Sequence, residues 1–253
     1  MNDREFYKSF FRLYVVLVLQ NIVTLSVNLA DNIMLGSYGE VSLSGVTSVN
    51  QIQFLYQQLL IAFGDGMVIF CSQYWGKKQF APMKKIIALA MRFGIAIAVI
   101  LFAVISVFPE QAMLCFTSDR QIIEEGVRYL HTIRFTYLFF AVTQMLLAAL
   151  RSTEVAGIAL RLSVMALVVN CGINYVLIFG RFGAPELGVT GAAIGTLTAR
   201  ILECGVLIFY VIRKEQYLRL QLSDFLKRDW QFLRDYLKIT LPLLVLCGLW
   251  GIN

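Results

Sequence analysis

Asp31, Asn170, Asn174 and Thr196 are the residues of this chain whose types and placement could do chemistry together. A carboxylate, two carboxamides and a hydroxyl make an oxygen-rich set suited to a hard monovalent cation or a proton. Asp31 lies in Leu29-Ala30-Asp31-Asn32-Ile33-Met34-Leu35-Gly36, near the end of the first long apolar run. A charge at membrane depth costs about 2.5–3.5 kcal/mol on insertion scales, so it faces protein or water and marks a site. Asn170 and Asn174 are four residues apart and therefore share one helix face. A second reading gives Asn170, Asn174 and Thr196 the plainer task of bonding across helices as packing contacts. On the residues alone both readings stand for the amides, and the functional one is favoured for Asp31.

A second polar group lies in the next apolar run. Asn50, Gln53 and Gln57 recur at i, i+3 and i+7, with Gln51 and Gln58 beside them. Such a stripe belongs against other helices or a water-filled cleft, not lipid. As a cleft lining it would suit amphipathic or cationic substrates; packing is the alternative. Asp65, in Gly64-Asp65-Gly66, is deep in the same run, and both a relay and an isolated charge fit it. His131, the sole histidine, sits near Arg128 and Arg134 and reads as a surface or interhelical residue. Arg200 and Glu203 are three apart on one helix and read as a structural pair. The five cysteines show no CxxC and no His-containing ligand spacing, so they read as small buried hydrophobes. No GxxxxGK[ST], HExxH or GxSxG occurs, which argues against ATP hydrolysis and enzymatic chemistry. No cofactor is expected beyond Na+ or H+ as a coupling ion.

The elements that must position these groups follow from composition. Of 253 residues, 58% are hydrophobic and 15% charged, and the mean hydropathy is +0.72. Soluble domains carry about 25% charged residues, and apolar stretches of about 20 span a membrane. The class expected is an all-α polytopic membrane protein. Spans are expected near 11–35, 46–73, 86–108, 126–150, 158–180 and 188–212, with a seventh from 236. The first is taken as an uncleaved helix, because its apolar run is too long for a signal peptide. The segment 213–235, with Arg213, Lys214, Arg219, Lys227 and Arg228 among aromatic and acidic residues, reads as an amphipathic surface helix. The expected organisation is thus a six-helix lobe at 1–212, a linker at 213–235, and the start of a second lobe at 236–253. The last segment holds about a dozen apolar residues where a span needs ~20, so a truncated seventh helix is expected.

The formal charge of +6 arises from bases between the apolar runs, a topogenic bias and not a nucleic-acid face. Arg4, Lys8, Arg12, Lys77, Lys78, Lys84, Lys85, Arg151, Arg161 and the 213–235 cluster fall on one side, against Arg120 and Arg181 on the other. That asymmetry places the N-terminus and the linker in the cytoplasm, in a cell membrane. At 1.5 Å per residue, Asp31, Asn170, Asn174 and Thr196 then fall at compatible heights in the outer half of the bilayer.

Several motifs, in order along nearly the whole chain, resemble the multidrug and toxic compound extrusion (MATE) transporters. They are Asn28 through Gly36 with Gly39; Ser72-Gln73-Tyr74-Trp75-Gly76-Lys77-Lys78; Leu150-Arg151-Ser152; Asn170 through Gly180; Pro185-Glu186-Leu187-Gly188-Val189-Thr190-Gly191; and Leu241-Pro242 with Leu249-Trp250. The resemblance implies two six-helix lobes exporting organic cations and other compounds against Na+ or H+ entry. This chain would be the amino-terminal lobe with the start of helix seven, and its partners the bilayer, a small organic substrate and a carboxy-terminal lobe. The family's amino-lobe cation site maps onto Asp31, Asn170, Asn174 and Thr196. At the second helix-five position the family has Asp where this chain has Asn174, which lowers the site's negative charge and shifts the expectation towards H+ or weak Na+ binding. A lipid-linked precursor or polysaccharide flippase of the same superfamily, and a non-transporting membrane scaffold subunit, are the alternatives. A basic cleft would favour the flippase, and Arg134 and Arg200 are the interior bases counted.

Overall fold

A computed structural model describes residues 3–155, 157–221, 224–225 and 230–252, and every ordered element among them is helical. The helices are α1 (Asp3–Tyr38), α2 (Glu40–Gly76), α3 (Phe80–Val107), α4 (Pro109–Leu114), α5 (Arg120–Ile133), α6 (Thr136–Ser152), α7 (Gly157–Ile178), α8 (Val189–Lys214) and α9 (Trp230–Ile252). In α1 (from Tyr14), α2, α3, α7 and α8, length and hydropathy suffice to cross a membrane. Exposed Leu25, Ile33, Ile100, Val104 and Val168 turn outward from these helices, as a lipid-facing surface requires.

The fourth expected span is a broken one. α5 and α6 meet at Arg134–Phe135 and are bent by 58°. The hydroxyl of Thr136 donates to the Ile133 carbonyl at 2.6 Å, taking an acceptor from the helical ladder at the bend. Arg134 fills the elbow, its guanidinium 5.7 Å from the Phe102 ring and 5.3 Å from Phe135. Ahead of it, 109–119 is not all loop: Pro109 opens the short α4 at a first-turn position that needs no N–H. Asp119 then caps α5 by accepting from the amides of Gln121 (2.9 Å) and Ile122 (3.5 Å). The connection expected over Gly36–Gly45 shrinks to the extended Gly39 between α1 and α2.

α2 is the centre of the lobe, in contact with α1, α3, α5, α6 and α9. Its buried Tyr56 donates to the Tyr137 carbonyl on α6 at 2.7 Å. α7 packs between α1 and α8, and α8 also leans on α5 and α6. α9 begins at Trp230, six residues before the expected start of the second lobe, and docks on α2 and α3. Tyr236, fully buried, donates to the Phe63 carbonyl at 2.6 Å, and Thr240 sits against Gly66. Arg92 on α3 is a further base within an apolar span besides Arg134 and Arg200; it is partly buried and donates to the Asp224 carbonyl at 2.9 Å.

The expected amphipathic helix over 213–235 is not continuous where it is described. Lys214 ends α8, and Gln216–Leu218 form a single 3-10 turn. Tyr217 stacks on Phe80 at 4.4 Å, tying that turn to α3. Residues 222–223 and 226–229, with Lys227 and Arg228, lie outside the described residues.

Candidate cation site and the adjoining cavity

Three helices bring the four oxygen-bearing residues together. Asn174 Nδ2 donates to Asp31 Oδ1 at 2.7 Å and to Asn170 Oδ1 at 3.3 Å. Asn170 Nδ2 donates in turn to Thr196 Oγ1 at 3.1 Å. The result is one hydrogen-bonded chain from α1 through two turns of α7 to α8. Asn170 and Asn174 are buried, at 1% and 0% exposure, and Asp31 is half-buried. Tyr129 of α5, also buried, lies near Thr196.

Asn174 Oδ1 has no hydrogen-bond partner among the described residues, though it is sealed from solvent. An orphaned buried acceptor is costly, and this one lies beside a carboxylate. The oxygens of Asp31, Asn170, Asn174 and Thr196 therefore suit a proton or a small hard cation, with Asp31 the one ionisable member.

Gly195 makes the arrangement sterically feasible. A β-carbon there would overlap Asn174 Oδ1, and one at Gly191 would come within 2.7 Å of the Leu177 backbone. α7 and α8 thus touch along small residues, which lets Asn174 fit between them. Gly195→Ala is expected to lower the thermal midpoint in detergent, through an overpacking cost of about 1–3 kcal/mol. Gly172→Ala, on the same α7 but with open space around it, is expected to leave the midpoint unchanged or raise it slightly. Equal midpoints for the two variants would contradict the close approach.

Beside the quartet lies a cavity of about 470 Å³, within the range of small-molecule sites. Asn170 and Thr196 form part of its wall, whereas Asp31 and Asn174 stand behind them. All three expected cleft residues, Asn50, Gln53 and Gln57, line it from α2. The facing polar groups of α1 were missed: Gln20, Thr24, Asn28 and Asn32 line the same cavity. Their i, i+4 spacing follows the same helical periodicity as the i, i+3, i+7 stripe of α2 and puts them on one face of α1. Thr47 and Gln51 of α2, Gln144 of α6, Ser163 of α7 and the pair Arg200–Glu203 of α8 add to the polar lining.

The other singled-out residues lie elsewhere. Asp65 pairs with Arg151 at 3.6 Å, both side chains partly exposed, near the opposite end of α2. His131 is exposed on α5, next to a shallow surface depression with Arg120 and Glu124.

Apolar helices packed around a polar cavity, with a carboxylate held behind its wall, define a polytopic helical membrane protein built as one lobe. The chain belongs to the MatE family, whose model matches residues 17–176. It is 26% identical over 229 residues to the "Probable multidrug resistance protein NorM" of Rhizobium meliloti, covering 88% of this chain and 48% of that protein. It is 24% identical over 246 residues to the like-named protein of Thermotoga maritima, covering 94% and 51%. Against the "Probable multidrug resistance protein YoeA" of Bacillus subtilis it is 25% identical, covering 90% and 50%. Among solved structures it resembles one described as the "outward-facing conformation of a multidrug resistance MATE family transporter of the MOP superfamily", with TM-score 0.84 and 18% identity, covering 95% of this chain and 52% of that one. The chain thus spans about half the length of the curated relatives it matches.

Proposed function

We propose that this chain is one lobe of a secondary active efflux transporter, exporting organic cations and similar amphiphiles in exchange for H+ or Na+. The observation that carries the reading is the unbroken hydrogen-bond chain from Asp31, behind the wall, to Thr196 and Asn170 on the cavity surface. A proton or cation arriving at Asp31 competes with the Asn174 amide for the carboxylate. Asn174 then releases or turns its amide, and the change passes to Asn170 and Thr196, which a substrate would touch. Ion and substrate bias the same side chains from opposite ends, so each alters the affinity of the other by the same factor. With one carboxylate in the set, a single positive charge neutralises it, which favours H+ or weakly held Na+.

In this reading residues 1–212 are the lobe, 213–235 link it to a second lobe, and 236–253 begin that lobe. The N-terminus and the link face the cytoplasm and the protein resides in the cell membrane. The full alternating-access cleft lies between the two lobes, with this cavity as one wall. A flippase for lipid-linked precursors would want a strongly basic cleft; among the described residues that line this cavity Arg200 is the one base, and it is balanced by Glu203.

The test is gradient-driven transport by the complete transporter in proteoliposomes. An imposed pH or Na+ gradient is expected to drive accumulation of a fluorescent organic cation, collapsing when an ionophore dissipates that gradient. Accumulation indifferent to both gradients would overturn the reading.

A further inference from the structure

Charge on the cavity wall is concentrated at one place. Among the described residues that line it, Arg200 and Glu203 are the charged ones, and the others offer amides, hydroxyls or apolar surface. Arg200 Nη1 donates to Glu203 Oε2 at 2.8 Å. The two side chains are unequally placed: 27% of Arg200 is exposed against 5% of Glu203. Both line the cavity and the guanidinium is the more exposed of the two, so the pair is neutral in sum but presents more of its base than of its acid to a ligand. The ring of Phe140, 4.9 Å from the guanidinium carbon, holds its plane.

A guanidinium is a rigid fork of five N–H donors, and the bond to Glu203 engages one edge of it. The remaining edge matches a carboxylate, sulfonate or phosphate, which it would bind by short charge-assisted hydrogen bonds. Asn170 and Thr196 lie on the same wall, Thr196 one turn along α8 from Arg200. On the α2 wall, the side-chain carbonyls of Asn50, Gln53 and Gln57 and the ring of Phe54 offer dipoles and a π face to a cationic end.

We propose that Arg200 is the docking point for an anionic group, so that this lobe selects substrates carrying a carboxylate or comparable anion alongside their organic cation. Glu203 acts through Arg200 as a positioning residue, holding the fork at the surface. The inference rests on the efflux reading above and narrows its substrate class.

The experiment compares rhodamine B, which has a free carboxylate, with its ethyl ester, which keeps the same cationic ring system without the anion. Binding to the complete transporter in lipid nanodiscs is followed by fluorescence anisotropy, with empty nanodiscs as reference. Wild type is expected to bind rhodamine B about tenfold more tightly than the ester, as hydrogen bonds to a charged group allow. Arg200→Gln alone strands a buried Glu203, so the decisive variant is Arg200→Gln with Glu203→Gln, which leaves no orphaned charge. That double variant is expected to lose the tenfold preference and bind the two dyes equally. Arg200→Lys, a charge without the fork, is expected to keep part of the preference. Equal affinities in wild type, or a preference that survives in the double variant, overturn the inference. Binding of neither dye to wild type overturns the efflux reading and this inference with it.

Discussion

Asp31→Asn is expected to abolish gradient-driven efflux by the complete transporter while substrate binding persists. The substitution is nearly isosteric and keeps one oxygen as acceptor for Asn174, so α1 stays docked on α7. It removes the one ionisable member of the quartet. An uncharged amide neither takes up a proton nor attracts a cation, and the ion gradient loses its point of entry. A loss on the order of 100-fold in gradient-driven accumulation corresponds to the upper range of site–site coupling free energies. Asp31 and Asn174 stand behind the cavity wall, which Asn170 and Thr196 form. Equilibrium binding of a fluorescent substrate should persist, shifted to the affinity that wild type shows when Asp31 is protonated. Parallel measurement of efflux in proteoliposomes and of binding in nanodiscs checks the split. Efflux that survives, or binding lost together with efflux, would contradict it.

The second large effect runs in the other direction. Asn174→Asp is expected to convert a weakly selective site into one that holds Na+. Asn174 now donates to Asp31 at 2.7 Å; a carboxylate in its place puts two negative charges in contact. Two unit charges 4 Å apart interact by about 4 kcal/mol at an effective dielectric constant of 20. Without a cation that repulsion destabilises the α1–α7 contact. With one it becomes attraction from both sides. Affinity for Na+ should rise by about 10- to 100-fold after the desolvation of the second carboxylate is set against the gain. Thermal unfolding of the purified chain at increasing NaCl, with KCl as the matched control, reads this out. The wild-type midpoint is expected to be nearly flat, and the variant's to start lower and climb with Na+, because a ligand that binds the folded state stabilises it. A variant midpoint indifferent to Na+ would count against the quartet as a cation site.

Much of this site is legible in the sequence because polar residues at membrane depth are scarce and each needs a reason. Asp31 stands out as a costly charge, and Asn170 and Asn174 share a helix face by spacing alone. Their meeting with Thr196 follows once the helices are ordered across the bilayer. The α2 stripe at Asn50, Gln53 and Gln57 is found by the same periodicity and does line the cavity. The matching α1 stripe of Gln20, Thr24, Asn28 and Asn32 follows the same periodicity, but its place on the cavity depends on how α1 packs against α7 and α2. Other features depend on contacts that no local pattern announces. The hydroxyl of Thr136 bends the fourth span by back-bonding to Ile133, and most threonines in such helices leave the axis straight. Asp65 finds Arg151 across 86 positions of chain. Gly195 looks like any small residue in a membrane helix until Asn174 is placed against it. The Arg200–Glu203 pair is readable from its spacing; that the base is the more exposed of the two in the cavity is a property of packing.

The most direct measurement concerns the ion itself. The complete transporter in nanodiscs, in weakly buffered Na+-free solution with a pH-indicator dye, is mixed with saturating substrate. Antiport through Asp31 predicts that wild type releases protons as substrate binds and that Asp31→Asn releases none while binding the same substrate. Equal proton release from both proteins, or none from wild type, would contradict the assignment of Asp31 as the coupling residue.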